Sequence, residues 1–193
     1  MTIQTIKNWV NEEERKTLVD YIINNEERIK KLGPDLYGST ASLYGSTGKD
    51  SLTGRWTVFN FLSDPIVSQI LGPKFLSLVG EAHITVWANI FRKGEYIGPH
   101  KHFHETTNMV SGNLFLDGPK DIGTCFTCGK RESKYGTLVY FPATTVHWVD
   151  PNPTDELRIS MAFDVHFNNN GEDKNLPLIH LVPERESVLK AAW

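Results

Sequence analysis

The stretch HITVWANI, residues 83–90, decides the fold. Ile84, Val86, Ala88 and Ile90 alternate with Thr85, Trp87 and Asn89. Successive side chains on a strand point to opposite faces, so a period of two gathers the apolar residues on one side. Further strands are expected at 96–104, 109–117, 122–127, 136–141, 145–150 and 156–167. Turn signals separate them: Arg92-Lys93-Gly94, Asp117-Gly118-Pro119, Gly129-Lys130 and Asp150-Pro151-Asn152-Pro153. Short strands at this spacing, following helices, predict a mainly β protein, a sandwich or barrel buttressed by N-terminal helices. Near the end, NLPLIHLV (175–182) reads as an edge strand.

Upstream the pattern is helical. Asn11 precedes Glu12, Glu13 and Glu14, a capping side chain followed by acids at the positive end of the helix dipole. Leu18, Val19, Ile22 and Ile23 form one apolar face, and Gly33-Pro34 predicts the stop. A second helix is expected from Asp64-Pro65 to Gly72-Pro73, with a short helix after it through Leu76 and Val79. Between the two helices, residues 33–55 hold LYGST twice among glycines, serines and threonines, a loop that is either a plain connection or a lid. The whole chain, 1–193, reads as one domain: helical support and loop over 1–80, a β core over 81–168 and a C-terminal extension over 169–193.

Composition narrows the function classes. Charged residues make up 22% of the 193 and hydrophobic ones 39%, with net charge −3, a soluble globular balance. Neither a basic block nor a basic excess suggests nucleic acid as a partner. No apolar run approaches the roughly 18 residues of a membrane span, and the first residues lack a signal-peptide pattern. The two cysteines, Cys125 and Cys128, form a lone CxxC. A closed zinc site needs about four ligands, so two reduced thiols on a strand, and a cytoplasmic setting, are the expectation.

The chemistry-bearing stretch is GPHKHFHETTN, residues 98–108. On a strand, His100 and His102 share a face with Cα atoms about 6–7 Å apart. Two imidazoles at that separation can reach one ion at roughly 2.1 Å each. His100 and His104 would stand about 13 Å apart, too far for one metal without a bulge. A chelate needs a third ligand from elsewhere, and His147 is the candidate. Arg158 and Ser160, in ELRISMAFDV, share a face of a later strand, where a guanidinium calls for an anion such as a carboxylate. The plainer alternatives are hydrogen-bonded core histidines and an Arg158 that pairs with Asp164 or another surface acid.

Taken together these residues resemble the Fe(II)/2-oxoglutarate dioxygenases, whose order is H-x-D/E, a distant His, then Arg-x-Ser. A phage and marine-bacterial subgroup with an H-x-H motif is similar over about residues 84–167. The matching parts are Trp87-Ala-Asn89, Gly94, His100-Lys-His102, Ser111-Gly112, Phe115, Gly136-Thr-Leu138, Phe141-Pro142, His147 and Arg158-Ile-Ser160. The resemblance implies a double-stranded β-helix (jelly-roll, cupin-like) core, with Fe(II), 2-oxoglutarate and O₂ as cofactors. It implies His100 and His147 as iron ligands, and Arg158, assisted by Ser160, as anchor of the far carboxylate of 2-oxoglutarate. Asn89 would hydrogen-bond the co-substrate. The activity implied is hydroxylation of an unactivated C–H bond of a small molecule or peptide, with release of succinate and CO₂. Trp87, Tyr96 and Trp148, with Trp56 and Phe103, are candidates for the substrate pocket.

One position departs from the family. No Asp or Glu stands two residues after His100 or His102, where the usual carboxylate ligand falls. His102 would replace it, or Glu105 would swing in, with His104 a further alternative or a pocket-wall residue. The metal-binding cupins resemble the same stretch, with Gly94, His100, His102, Glu105 and Gly112 followed by Gly136, Pro142 and His147. On that alternative the protein is a dioxygenase or isomerase that does not use 2-oxoglutarate, and Arg158-Ile-Ser160 goes unexplained. A non-catalytic metal-binding β-sandwich is the third possibility.

Overall fold

Alternation decides which way each strand faces, and the computed structural model, which describes residues 2–32, 51–102, 109–167 and 176–183, follows it closely. The described elements are β1 (Gln4–Ile6), α1 (Glu12–Lys30), α2 (Pro65–Val79), β2 (Ala82–Phe91), β3 (Ile97–His100), β4 (Met109–Asp117), β5 (Thr124–Phe126), β6 (Gly129–Arg131), β7 (Thr137–Pro142), β8 (His147–Val149), β9 (Arg158–His166) and β10 (Ile179–Leu181). The strands form a six-stranded sheet in the order β1-β7-β4-β9-β2-β10 and a four-stranded sheet in the order β3-β8-β5-β6. Every pairing is antiparallel.

The large sheet has two different faces. Ile84, Val86, Ala88 and Ile90 of β2 join Ile159, Met161, Phe163 and Val165 of β9 in one apolar cluster with Leu18, Ile22 and Ile29 of α1 and Val67, Leu71 and Phe75 of α2. The other parity, with Trp87, Asn89, Arg158, Ala162 and Asp164, lines a cavity shared with residues of the small sheet. The mainly β class with helical support is thus what the chain adopts.

Polar anchors fix the helical layer to the sheet. Asn11 accepts from the Glu14 N–H and Glu14 reaches back to the Asn11 N–H, a reciprocal cap. Arg15 of α1, nearly buried, donates to the Leu116 carbonyl at the end of β4 (2.9 Å). Asn60 donates to the carbonyls of Ile84 and Pro177 and accepts from the Val86 N–H, tying the connection before α2, strand β2 and the C-terminal segment together.

Four sequence expectations are corrected. First, α2 does not stop at Gly72-Pro73 but runs on to Val79. Val67, Leu71 and Phe75 lie on one buried face, and that continuous packing outweighs the backbone bond the proline removes. Second, β1 was not foreseen; it is a three-residue edge strand, held by its register against β7 rather than by its own pattern. Third, Gly129-Lys130 is not a turn but the start of β6, and Phe126 pairs with Gly129 so that Thr127-Cys128 make the turn. Cys128 is therefore exposed in a turn, while Cys125 is buried on β5; both are free thiols. Fourth, the strand expected over 96–104 ends at His100. The expected edge strand near the C-terminus is β10, paired with β2. Helix α1 ends at Lys30; its expected stop at Gly33-Pro34 and most of the 33–55 loop lie outside the described residues. No described helix is long and apolar enough to cross a membrane.

Gly112 of β4 shows how tightly the layers meet. A Cβ there would stand 2.3 Å from the Phe163 ring and 2.7 Å from the Val139 carbonyl oxygen. Gly112→Ala is expected to lower the unfolding free energy by about 1–3 kcal/mol, measured by urea denaturation. A wild-type midpoint would mean the ring and strand yield freely.

Candidate active site

Three elements converge on one point of the cavity. His100 is the last residue of β3 and His147 the first of β8, and the two are register partners across the small sheet. His102 lies two residues beyond the strand end, in a bend whose N–H donates to the Ala143 carbonyl (3.0 Å). A regular strand was expected to align His100 and His102; the bend does it instead. One ring nitrogen of each of the three histidines lies within 4.8 Å of the other two. That spacing makes the three candidates for holding one ion.

Each of the three rings has an oxygen partner on its Nδ1. His100 Nδ1 donates to the Gly98 carbonyl (2.8 Å), and His147 Nδ1 to the Thr145 carbonyl (3.0 Å). His102 Nδ1 donates to Asp164 Oδ1 (2.6 Å). Each Nδ1 carries its proton to an oxygen, which leaves each Nε2 as a lone-pair donor for a metal. His104 and Glu105, the alternative ligands, lie outside the described residues.

Burial keeps two of these rings neutral. It pushes His100 down to about 4, helped by nearby His102, and pushes His147 well below the usual histidine range for the same two reasons, with His100 adding to the effect. Asp164 is fully buried, which alone would raise its pKa. The His102 ring and the Ser111 hydroxyl outweigh that and hold it below the usual carboxylate value.

Arg158 opens β9 and is 1% exposed. Its Nε donates to the Ile122 carbonyl (2.9 Å) and Nη1 to Ser160 Oγ (3.2 Å). Phe91 and Phe115 lie near the guanidinium at 5.4 and 5.6 Å from their centroids. Its Nη2 is buried with no hydrogen-bond partner, and Arg158 lines the cavity. Burial lowers its pKa to about 10, so the group stays charged at neutral pH. The pairing with Asp164 considered from sequence does not occur: Asp164 bonds to His102 and Ser111. Ser160 is fully buried and does not line the cavity; it steadies Arg158 from behind. Asn89 lines the cavity with its Oδ1 held by the Thr53 hydroxyl (2.8 Å), which leaves its NH₂ to offer a ligand.

The cavity measures about 210 Å³. Trp87 and Trp56 form an aromatic wall, their ring centroids 6.0 Å apart, and Trp87 stands 5.7 Å from His102. Two expected wall residues do not line it. Tyr96 precedes β3 and is 38% exposed. Trp148 follows His147 on β8, so alternation turns it outward, where its Nε1 donates to Asp150. Phe103 lies outside the described residues. Thr53, at the end of the 33–55 loop, lines the cavity, whereas Lys101, Asn113, Thr124 and Asp164 were not expected there. For Asp164 the signal was present, because it shares the parity of Arg158 and Ser160.

The residues fit a metal with an anionic ligand beside it. Three histidine nitrogens converge, and a buried cation in the same cavity has a terminal NH₂ group, Nη2, without a hydrogen-bond acceptor.

No family model matches the chain, and no curated protein matches it. Solved structures do match. A Pseudomonas putida prolyl-4-hydroxylase is 14% identical, with 87% of this chain and 94% of that one covered, at TM-score 0.60. A Trichoplax adhaerens prolyl hydroxylase, solved with a hypoxia inducible factor peptide fragment, is 10% identical at TM-score 0.61, covering 86% and 84%. HygX from Streptomyces hygroscopicus, solved with nickel and 2-oxoglutarate bound, is 10% identical at TM-score 0.57, covering 87% and 83%. The chain has the double-stranded β-helix fold of these oxygenases.

The buried rings make the metal-free protein acid-sensitive. Between pH 6.5 and about 4 the unfolded chain takes up a proton on His100 that the folded chain refuses, and burial shifts His147 in the same direction. Stability should be full above that window and fall as pH drops through it, by up to about 1.4 kcal/mol per pH unit for His100. Melting curves of the metal-free chain check this, and His100→Gln should flatten the slope; an unchanged slope would exclude His100 as a source.

Proposed function

We propose that the chain is an Fe(II)- and 2-oxoglutarate-dependent oxygenase that hydroxylates an unactivated C–H bond of a small molecule or peptide. The observation that carries this reading is Arg158, a buried cation with its Nη2 unpaired, in the wall of the cavity that also holds the three histidines. When bound, iron and 2-oxoglutarate would supply O₂ activation coupled to decarboxylation, with succinate and CO₂ as products.

This chain's residues supply the positioning. His100, His102 and His147 would hold the metal through three nitrogens, a number that would leave positions for exchangeable ligands. Arg158 takes the far carboxylate of 2-oxoglutarate through Nη2. Its Nε and Nη1 are already committed to Ile122 and Ser160, so the guanidinium is fixed before the ligand arrives. Phe91 and Phe115 keep water from its faces, which strengthens the charge pairing. Asn89, steadied by Thr53, offers a further donor to the co-substrate. Trp87 and Trp56 are the wall against which the substrate lies. A peptide substrate has a parallel in the Trichoplax structure, and a small molecule in HygX, which was also solved with hygromycin B bound. The free thiols Cys125 and Cys128 support a reducing, cytoplasmic setting.

Anaerobic addition of Fe(II) and 2-oxoglutarate should produce the visible charge-transfer band of a chelated 2-oxo acid. Arg158→Ala should weaken 2-oxoglutarate binding by about 30-fold or more, since it removes one partner of a buried charge pair. No band, no binding and a variant indistinguishable from wild type would sink the reading. Glu105→Gln should leave metal binding intact; its loss would favour the four-ligand cupin site instead.

A further inference from the structure

We propose that Asp164 and Ser111 are positioning residues that hold His102 from behind, placing beyond the ring the negative charge that the ligand set itself lacks. The inference rests on the metal-binding half of the function proposed above, and not on 2-oxoglutarate.

Asp164 is a carboxylate in the interior, 3% exposed. A buried charge is costly unless it is paired and hydrogen-bonded. Its partners are His102 Nδ1 at 2.6 Å and the Ser111 hydroxyl at 2.5 Å, both on the same oxygen, Oδ1. Ser111 is fully buried and stands directly opposite Asp164 in the β4–β9 register, and its Oγ is also 3.1 Å from His102 Nδ1. The three groups form a closed triangle anchored in the centre of the large sheet.

The contrast with the other two histidines gives the triangle its meaning. His100 and His147 sit on strands, and each Nδ1 bonds to a neutral carbonyl two residues earlier in the chain. Local backbone is enough to orient them. His102 sits in a bend past the end of β3, and its Nδ1 reaches an acid 62 residues away. A long-range anchor replaces the local one, and it is the charged one of the three. A carboxylate behind a ligating imidazole fixes its tautomer and makes the metal-facing nitrogen more basic.

The test uses the full chain with Co(II) as probe. Calorimetry gives the affinity and visible ligand-field bands give the coordination. Proton NMR of the Co(II)-loaded protein reports the three exchangeable Nδ1–H signals separately. Asp164→Asn is expected to keep the band pattern, weaken Co(II) ten- to a hundredfold, and speed solvent exchange of one Nδ1–H signal while the other two stay as in wild type. Should that variant fail to fold, Ser111→Ala is expected to give a smaller loosening confined to the same signal. Unchanged affinity with three unchanged signals overturns the proposal, as does an equal disturbance of all three. A band pattern showing a lost ligand overturns it in favour of direct coordination by Asp164, and a wild-type chain that binds no Co(II) overturns it outright. A chain that shows the Asp164 dependence but never binds 2-oxoglutarate fails as an oxygenase and keeps this inference.

Discussion

Strand β9 carries two buried charges on one face, and everything at the site answers to them. It lies between β4 and β2 in the large sheet, and all nine of its residues are buried. Arg158 opens the strand and Asp164 stands six residues on, about 20 Å along a regular strand. Charges placed so deep must be paired within the fold or by what the fold binds. Asp164 is paired inside the chain by His102 and Ser111. Arg158 is paired only in part, by neutral oxygens, and keeps its Nη2 amino group without an acceptor. The first charge holds the histidine end of the cavity, and the second sets a cation in its wall.

A cavity with unsatisfied polarity needs a stiff frame. The helical layer supplies it by packing on the opposite face of the same strands, through Ile159, Met161, Phe163 and Val165 of β9. The ring of Phe163 fills the space over Gly112 and meets Phe75 of α2 edge-on at 4.9 Å. The layers therefore share side chains rather than merely touch. Arg92 at the end of β2 pairs with Glu26 of α1, and Arg55 donates to the carbonyl of Lys30 at the helix end. The 3₁₀ turn holding Arg55 also holds Thr53, whose hydroxyl fixes Asn89 in the cavity. Helix, turn and cavity wall are linked by contacts a few residues apart.

The strands with strict alternation were readable from sequence because one face of each is apolar over many residues; β2 and β9 are the clear cases. Short edge pieces were not. β1 and β6 have three residues each, too few for a period, and their pairing with β7 and β5 supplies what the sequence does not display. Helix α2 passes through Pro73 because burial of one continuous face overrides a local breaker. At the site, His100, His102, His147 and Arg158 were visible as residue types in order. Their convergence was not, since the bend that turns His102 inward depends on a bond to Ala143. Trp148 and Tyr96 were misplaced by weighing aromatic character over parity. Asp164 entered only as a possible surface partner of Arg158, although the alternation that put Arg158 and Ser160 inside applied to Asp164 as well.

The position of His102 joins these observations. In the family this sequence resembles, a carboxylate is expected two residues after the first histidine. Here an imidazole occupies that place, and a carboxylate stands directly behind it. The negative charge has moved outward by the width of one ring, and a ring nitrogen faces the cavity. A carboxylate in the ligand position would need no such support, because it is itself the charge. An imidazole at the end of a strand, free of local restraint, needs its second nitrogen held, and a neutral carbonyl within reach would do so more weakly than an acid. Asp164 is therefore not a spare charge buried by chance. Its cost in the interior is offset by the ring it orients, and the sheet that fixes its backbone also carries Arg158. Both ends of the cavity are set by one strand.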